Sequence, residues 1–284
     1  MVPTDPEVAR RRYRKRLWIF RNRRIQRDIR TLDPDKDHTL IVQLMSGYEF
    51  PWDVQRALEV ALFKTYASPR ISLLLDRTGE FRRAGQKRYD DTALIVQAFM
   101  QHGYEEGLGA EAIARMNKMH SFFRIENVDY LYTLCTFVLC PIDWINRYAW
   151  RRLHAVERAG FARFFHEVGL RMGLTDVPKT EAEFRAFAAE YEEAHFQYVE
   201  SNKRIGDATL DIIKGWIPRF GHGLVRPTVL SLLSRADLAA FNYAPPSRWY
   251  AGMVRLGLKA RGAMSMALNV DKAPATLENY HARA

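Results

Sequence analysis

His120 departs from the other histidines in its company. It closes the stretch Arg115-Met116-Asn117-Lys118-Met119-His120 and is followed by Phe122, Phe123 and Arg124. A lone histidine on a helix is usually structural, and the other seven lack comparable surroundings. Helical spacing predicts Asn117, His120 and Arg124 on one face. Met116, Met119, Phe122 and Phe123 around them offer polarizable and aromatic surface suited to a flat apolar macrocycle. Haem iron with a histidine on one side and an open sixth position is the arrangement that binds oxygen. His120 is therefore the candidate metal ligand. Asn117 and Arg124 are candidate cofactor contacts, and an arginine there can pair with a haem propionate.

A second constellation lies upstream, where Arg88-Tyr89-Asp90-Asp91-Thr92 places a cation, two carboxylates and a hydroxyl together. The plain reading is a helix start capped by Asp90 or Asp91. The functional reading turns Arg88, Asp91 and Thr92 toward an oxygen-binding face, with Arg88 also a cofactor contact. Residue types alone leave the two readings open.

Other patterns carry less. Gly107, Gly109 and Ala112 fit G-x-G-x-x-A, but that fingerprint needs a strand just before it, and Gln101-His102-Gly103-Tyr104 reads as a helix end. Glu192 and His195 form one E-x-x-H pair on what reads as a polar helix face, whereas a di-iron bundle needs two pairs and further carboxylates. Cys135 sits mid-helix in an apolar run as a small core residue, which argues against a thiolate-ligated haem. The chain has no H-E-x-x-H, CxxC, P-loop or G-x-S-x-G. With two cysteines and no disulfide framework, a reducing compartment is expected.

The elements that must position these residues read as helices almost throughout. Asp53 is expected to cap a helix bearing Val54, Ala57, Leu58, Ala61 and Leu62. Ser68-Pro69 starts another, which stops near Gly79. Asp90 or Asp91 opens one ending at Gly103, and Gly109 onward one reaching His120. Asn127 opens the most apolar helix, ended or kinked at Pro141 and too short to span a bilayer. Thr180 and Glu183 have capping-box spacing for a helix toward Ser201. No stretch alternates with period two, so a single all-α domain is expected: a basic arm at 1–35, the helical domain at 36–270 and a loose tail at 271–284.

The net charge of +10 belongs to the arm, because residues 1–30 carry eleven Lys or Arg against three Asp or Glu and the rest is nearly balanced. With Leu17-Trp18-Ile19-Phe20 inside it, the arm suits an anionic membrane surface; RNA contact or a solvated terminus are the alternatives. No nucleic-acid partner is expected of the nearly neutral body. The location expected is the cytoplasm, peripheral at the membrane.

Residues from about 50 to 200 resemble the MpaB-type oxygenase family, to which the latex-clearing rubber oxygenases are more distantly related. The matching blocks are Ala57–Tyr66, Lys87–Thr92, Arg115–His120, Asn127–Leu134 with Pro141, Trp150-Arg151, Glu157 and Gly169–Gly173. The resemblance implies an all-α, partly globin-like haem-binding core, with haem b held by His120 and the Arg88–Thr92 segment on the distal side. Where the rubber oxygenases have a lysine before that threonine, this chain has Asp91, a carboxylate suited to act as a base or orient water. The function implied is a haem b-dependent oxygenase using dioxygen on a small lipophilic substrate with an alkene or prenyl group. The alternatives are a non-enzymatic haem sensor or carrier, or a cofactor-free helical module that binds lipid or RNA.

Overall fold

The protein is described by a computed structural model covering residues 23–267. Most of the basic arm and the C-terminal tail lie outside the described residues. Among those described, every regular element is a helix and none is a strand. The expected all-α single domain is what the chain forms.

The centre is α7 (Asn127–Tyr148), which follows α1 (Arg24–Ile29), α2 (His38–Leu44), α3 (Pro51–Thr65), α4 (Pro69–Thr78), α5 (Glu80–His102) and α6 (Gly107–His120). Leu131, Leu134, Cys135, Val138, Ile142 and Ile145 recur along α7 at helical spacing and are all buried. Packing such a side chain out of water contributes about 1.5–3 kcal/mol, so α7 must be covered on nearly every side. That cover comes chiefly from α3, α8 (Ala155–Arg171) and α9 (Glu181–His195). Phe161, Phe164 and Phe165 of α8 are completely enclosed. The chain does not end this helix at Pro141; it runs on to Tyr148, although Pro141 cannot donate to the carbonyl one turn back. With 22 residues, α7 is long and apolar enough to cross a membrane by length and composition, which corrects the length expected from sequence. Of its most apolar window, 67% is buried inside the protein, as befits a core helix.

Several helix starts differ from expectation. Asp53 is no cap: Phe50 holds that position, Pro51 begins the helix, and the buried Asp53 carboxylate accepts from Trp144 Nε1 and Arg261 Nη1. Asp90 and Asp91 lie in the middle of α5, which starts ten residues earlier at Glu80 and bends at Ala84, where φ is −148° and ψ is 46°. Ser68-Pro69 and Gly79 do bound α4, with Gly79 in the left-handed region at φ 67°. Thr180 accepts from the Glu183 amide as expected, but α9 ends at His195, and a separate α10 (Glu200–Gly215) follows.

A buried ion triad closes the base of the core. Arg151 donates to Glu49 and to Glu157, whose side chains are almost fully enclosed. Glu157 in turn accepts from the His154 amide at the start of α8. His154 is thus a cap, its ring held by Gln26 and Arg30. Ile25 and Ile29 of α1 join the same core. The chain finishes with α11 (His222–Leu230), α12 (Arg235–Ala240) and α13 (Arg248–Ala267).

Candidate functional site

A cavity of about 900 Å³ opens between α3, α4, α5, α6, α7, α8 and α10. Its walls are largely apolar, with Leu62, Ile95, Phe99, Leu134, Phe137 and Phe165 among them. Arg88, Asp91, Thr92 and His120 all border it, so tertiary packing brings together the two constellations that lie 28 to 32 residues apart in sequence.

His120 is the last residue of α6 and its ring lies against that of Tyr130, with centroids 5.2 Å apart. Its ring makes no hydrogen bond among the described residues. Burial, and secondarily the Arg88 guanidinium, hold its pKa below the usual histidine range. The imidazole is therefore neutral at physiological pH with a nitrogen lone pair available to a metal. Met116, Met119 and Phe123 border the cavity beside it. Phe122 does not; it is 74% exposed and points to solvent.

Across the cavity, Arg88 Nη1 donates to Thr92 Oγ1 at 2.6 Å, and that hydroxyl donates to the Arg88 carbonyl one turn back. The guanidinium also acts on Tyr66, whose phenol is pushed up by burial and only partly brought back by Arg88. Asp91 borders the cavity and is paired with Lys87, another lining residue, at 2.6 Å. That contact is largely exposed and worth at most about 1 kcal/mol.

Two predicted contacts fall elsewhere. Asn117 does not border the cavity: its amide donates to the Arg171 carbonyl at 2.9 Å, tying α6 to the end of α8. A face shared with Arg124 needs helical spacing beyond His120, whereas the helix stops at His120. Arg124 reaches the cavity only at its rim, with 95% of its side chain exposed and a loose pairing to Glu126.

Sequence reasoning missed a second polar patch. Arg70 Nε donates to Asp129 at 3.0 Å, and Tyr191 donates to the other carboxylate oxygen at 2.6 Å. Arg70 and Asp129 border the cavity. Tyr89 was passed over as well: it donates to Glu59 at 2.7 Å and its ring lies tilted against Trp216 at the cavity edge. Burial raises the Glu59 carboxyl above its ordinary range, against the lowering by Arg56 and Tyr89.

The rejected motifs have structural roles. Gly109 meets the end of α5 so closely that a Cβ there would lie 1.7 Å from the Gly103 carbonyl oxygen. Glu192 is more than a polar face, since Lys64 at 2.8 Å and Tyr132 at 3.2 Å both hold its carboxylate. Burial raises the Cys140 thiol to about 12, only partly offset by Lys64, and pushes Cys135 up as well. Neither is a thiolate at neutral pH.

The cavity fits a haem. Among the described residues no group of three or more His, Cys, Asp or Glu could hold a bare ion. Iron carried by a porphyrin needs only one protein ligand, an apolar slot and cations at its edge. His120, the apolar walls, and Lys87, Arg88 and Arg124 meet those needs.

Residues 60–265 match the family model described as "ER-bound oxygenase mpaB/B′/Rubber oxygenase, catalytic domain". The ER-bound oxygenase mpaB′ of Penicillium brevicompactum is 26% identical over 236 residues, covering 76% of this chain and 56% of the relative. The ER-bound oxygenase mpaB of Penicillium roqueforti (strain FM164) is 28% identical over 206 residues, 66% of this chain and 69% of the relative. The mpaB of Penicillium brevicompactum is 31% identical over 147 residues, 50% of this chain and 38% of that protein. This chain thus spans little more than half of the first of these relatives.

Proposed function

The chain belongs to the MpaB/B′–rubber oxygenase catalytic-domain family, and from that membership we propose that it is a haem b-dependent oxygenase acting on a lipophilic alkene or prenyl compound. The observation that carries the reading is the neutral, unbonded His120 imidazole on the wall of a large apolar cavity that also exposes Arg88 and Thr92.

His120 would hold the iron, and Arg124 at the rim would pair with a propionate. Bound haem supplies the capacity to bind and activate dioxygen. Arg88 contributes a fixed cationic donor whose orientation is set by Thr92, so no reorganisation is needed as negative charge develops. A donor placed in this way is worth about 2–4 kcal/mol. Asp91, paired with Lys87 at the cavity wall, can accept a proton or orient water. The apolar walls exclude water and take up the hydrocarbon part of the substrate. In this reading residues 36–270 form the oxygenase unit, with α1 packed into the same core and the basic arm available for peripheral attachment to a membrane from the cytoplasm.

The test is an absorption spectrum and pyridine haemochrome assay on wild type, His120→Ala and Asp91→Ala, each expressed with ample haem. Wild type and Asp91→Ala are expected to carry stoichiometric b-type haem, and His120→Ala to lose it. Asp91→Ala is expected to lose oxygen consumption with a prenyl substrate. Full haem in His120→Ala would move the ligand elsewhere. Haem without turnover across a broad alkene panel would leave a carrier or sensor.

A further inference from the structure

Helix α13 carries an apolar stripe that the protein leaves uncovered. Trp249, Met253, Leu256, Ala260 and Met264 recur at helical spacing, with Trp249 72% and Leu256 68% exposed. The opposite face is the one that packs. Ala251, Gly262 and Ser265 are buried, and Gly262 lies so close to the end of α7 that a Cβ would come within 2.2 Å of the Tyr148 carbonyl oxygen. The stripe therefore points directly away from the body.

Two neighbours extend it. Tyr250, on the flank of α13, pairs with Thr228 at 2.8 Å and so sets α11 alongside. Leu224 of α11 is 59% exposed, and Phe220 just before it is 92% exposed. From Phe220 the chain leads back through Ile217 to Trp216, which borders the large cavity.

The charge on α13 has one sign, with Arg248, Arg255, Lys259 and Arg261 and no carboxylate, while Asp207 and Asp211 of α10 pair with Arg226 and Lys214. Residues 212–267 contain eight Lys or Arg and a single acidic residue, Asp237, which is buried. Arg219, Arg248, Arg255 and Lys259 are exposed and form no ion pair among the described residues. On α13, Arg248, Arg255 and Lys259 fall together on one side of the stripe by helical spacing. Outward aromatic and aliphatic side chains flanked by long cations are the features of a surface that lies in a lipid interface, with the cations at headgroup level. A protein partner would need its own acidic rim; an anionic bilayer supplies apolar depth and negative charge together.

We propose that the α13 stripe, with Phe220 and Leu224, docks on an anionic lipid bilayer. This is a surface separate from the basic arm. Docking does not depend on the chemistry proposed above; only its use, delivering lipophilic substrate past Trp216 into the cavity, rests on that reading. Vesicle binding is measured without haem or turnover, so the two fail separately.

The experiment uses the full chain with phosphatidylcholine vesicles and with vesicles containing phosphatidylserine, in low and high salt. Co-sedimentation is compared for wild type, Trp249→Ser/Leu256→Ser and Arg255→Glu/Lys259→Glu, after thermal melts confirm that each is folded. The expected result is a roughly tenfold or greater fall in partitioning for the apolar double variant. That fall should persist in high salt, where an electrostatic contribution from the arm is screened. The charge variant should lose the preference for phosphatidylserine. Brominated lipids should quench wild-type tryptophan fluorescence more than that of Trp249→Phe. Unchanged partitioning of the apolar variant, or equal quenching in Trp249→Phe, would overturn the proposal. So would a dimer in light scattering that Leu256→Ser dissolves, which would make the stripe a contact between copies.

Discussion

Replacing Arg151 by methionine keeps an unbranched apolar side chain but removes the guanidinium that lies over the Phe50 ring and between two enclosed carboxylates. Its Nε and Nη2 donate to Glu49 at 3.0 and 2.8 Å, and its Nη1 and Nη2 to Glu157 at 2.7 and 2.6 Å. The Glu49 and Glu157 side chains are 1% and 0% exposed and Arg151 itself 10%, so solvent screens little of the interaction. Removing one partner of such a buried pair strands the others, at about 3–5 kcal/mol. At roughly 2–4 °C per kcal/mol for a chain of this size, the melting temperature should fall by about 10 °C. Urea denaturation followed by helix content gives the free energy directly, and Arg151→Lys should lose less because the charge survives without the fork. Adding Glu49→Gln to the methionine variant should recover part of the loss, since one stranded charge is then gone. A loss under about 1 kcal/mol, or full stability with haem alone lost, would refute the scaffold role and place Arg151 in the site.

Further outcomes can be measured at the site and away from it. In the apo-protein, an NMR titration should find the His120 pKa below the ordinary histidine range, and Arg88→Gln should raise it only part of the way, because burial is the larger cause. With the folded value below the unfolded one, the unfolded chain takes up the proton first. The contribution of His120 to stability should therefore be present above about pH 6.5 and decline as pH falls toward the folded value; an unchanged or lower pKa in Arg88→Gln would contradict the geometry. Gly109→Ala should lower the melting temperature and haem content together, since its Cβ would collide with the Gly103 carbonyl where α6, which carries His120, meets α5, which carries Arg88. Gly252→Ala meets nothing within 4 Å and should instead stabilise by about 0.4–1 kcal/mol, an order that thermal melts would reverse if the packing were otherwise.

The sequence by itself determined the helical class, because a period near 3.6 recurs wherever an element must bury one face, as in Leu131, Leu134, Val138, Ile142 and Ile145. It also marked His120 and Arg88–Thr92, since a histidine with polarizable neighbours and a compact cation–carboxylate–hydroxyl run are local patterns. What it could not decide depended on distant partners. Asp53 and Asp91 look alike as helix-start carboxylates. Only the arrival of Trp144 and Arg261 makes one a buried acceptor, and only the extension of α5 back to Glu80 leaves the other mid-helix beside the cavity. Asn117 shares a periodicity with His120, yet the end of α8 claims its amide. Arg70 and Asp129 carry no local mark at all, because their pairing joins α4 to α7 across 59 residues. The cavity follows the same logic: each wall is ordinary amphipathic helix, and the space between seven of them exists only once they have packed.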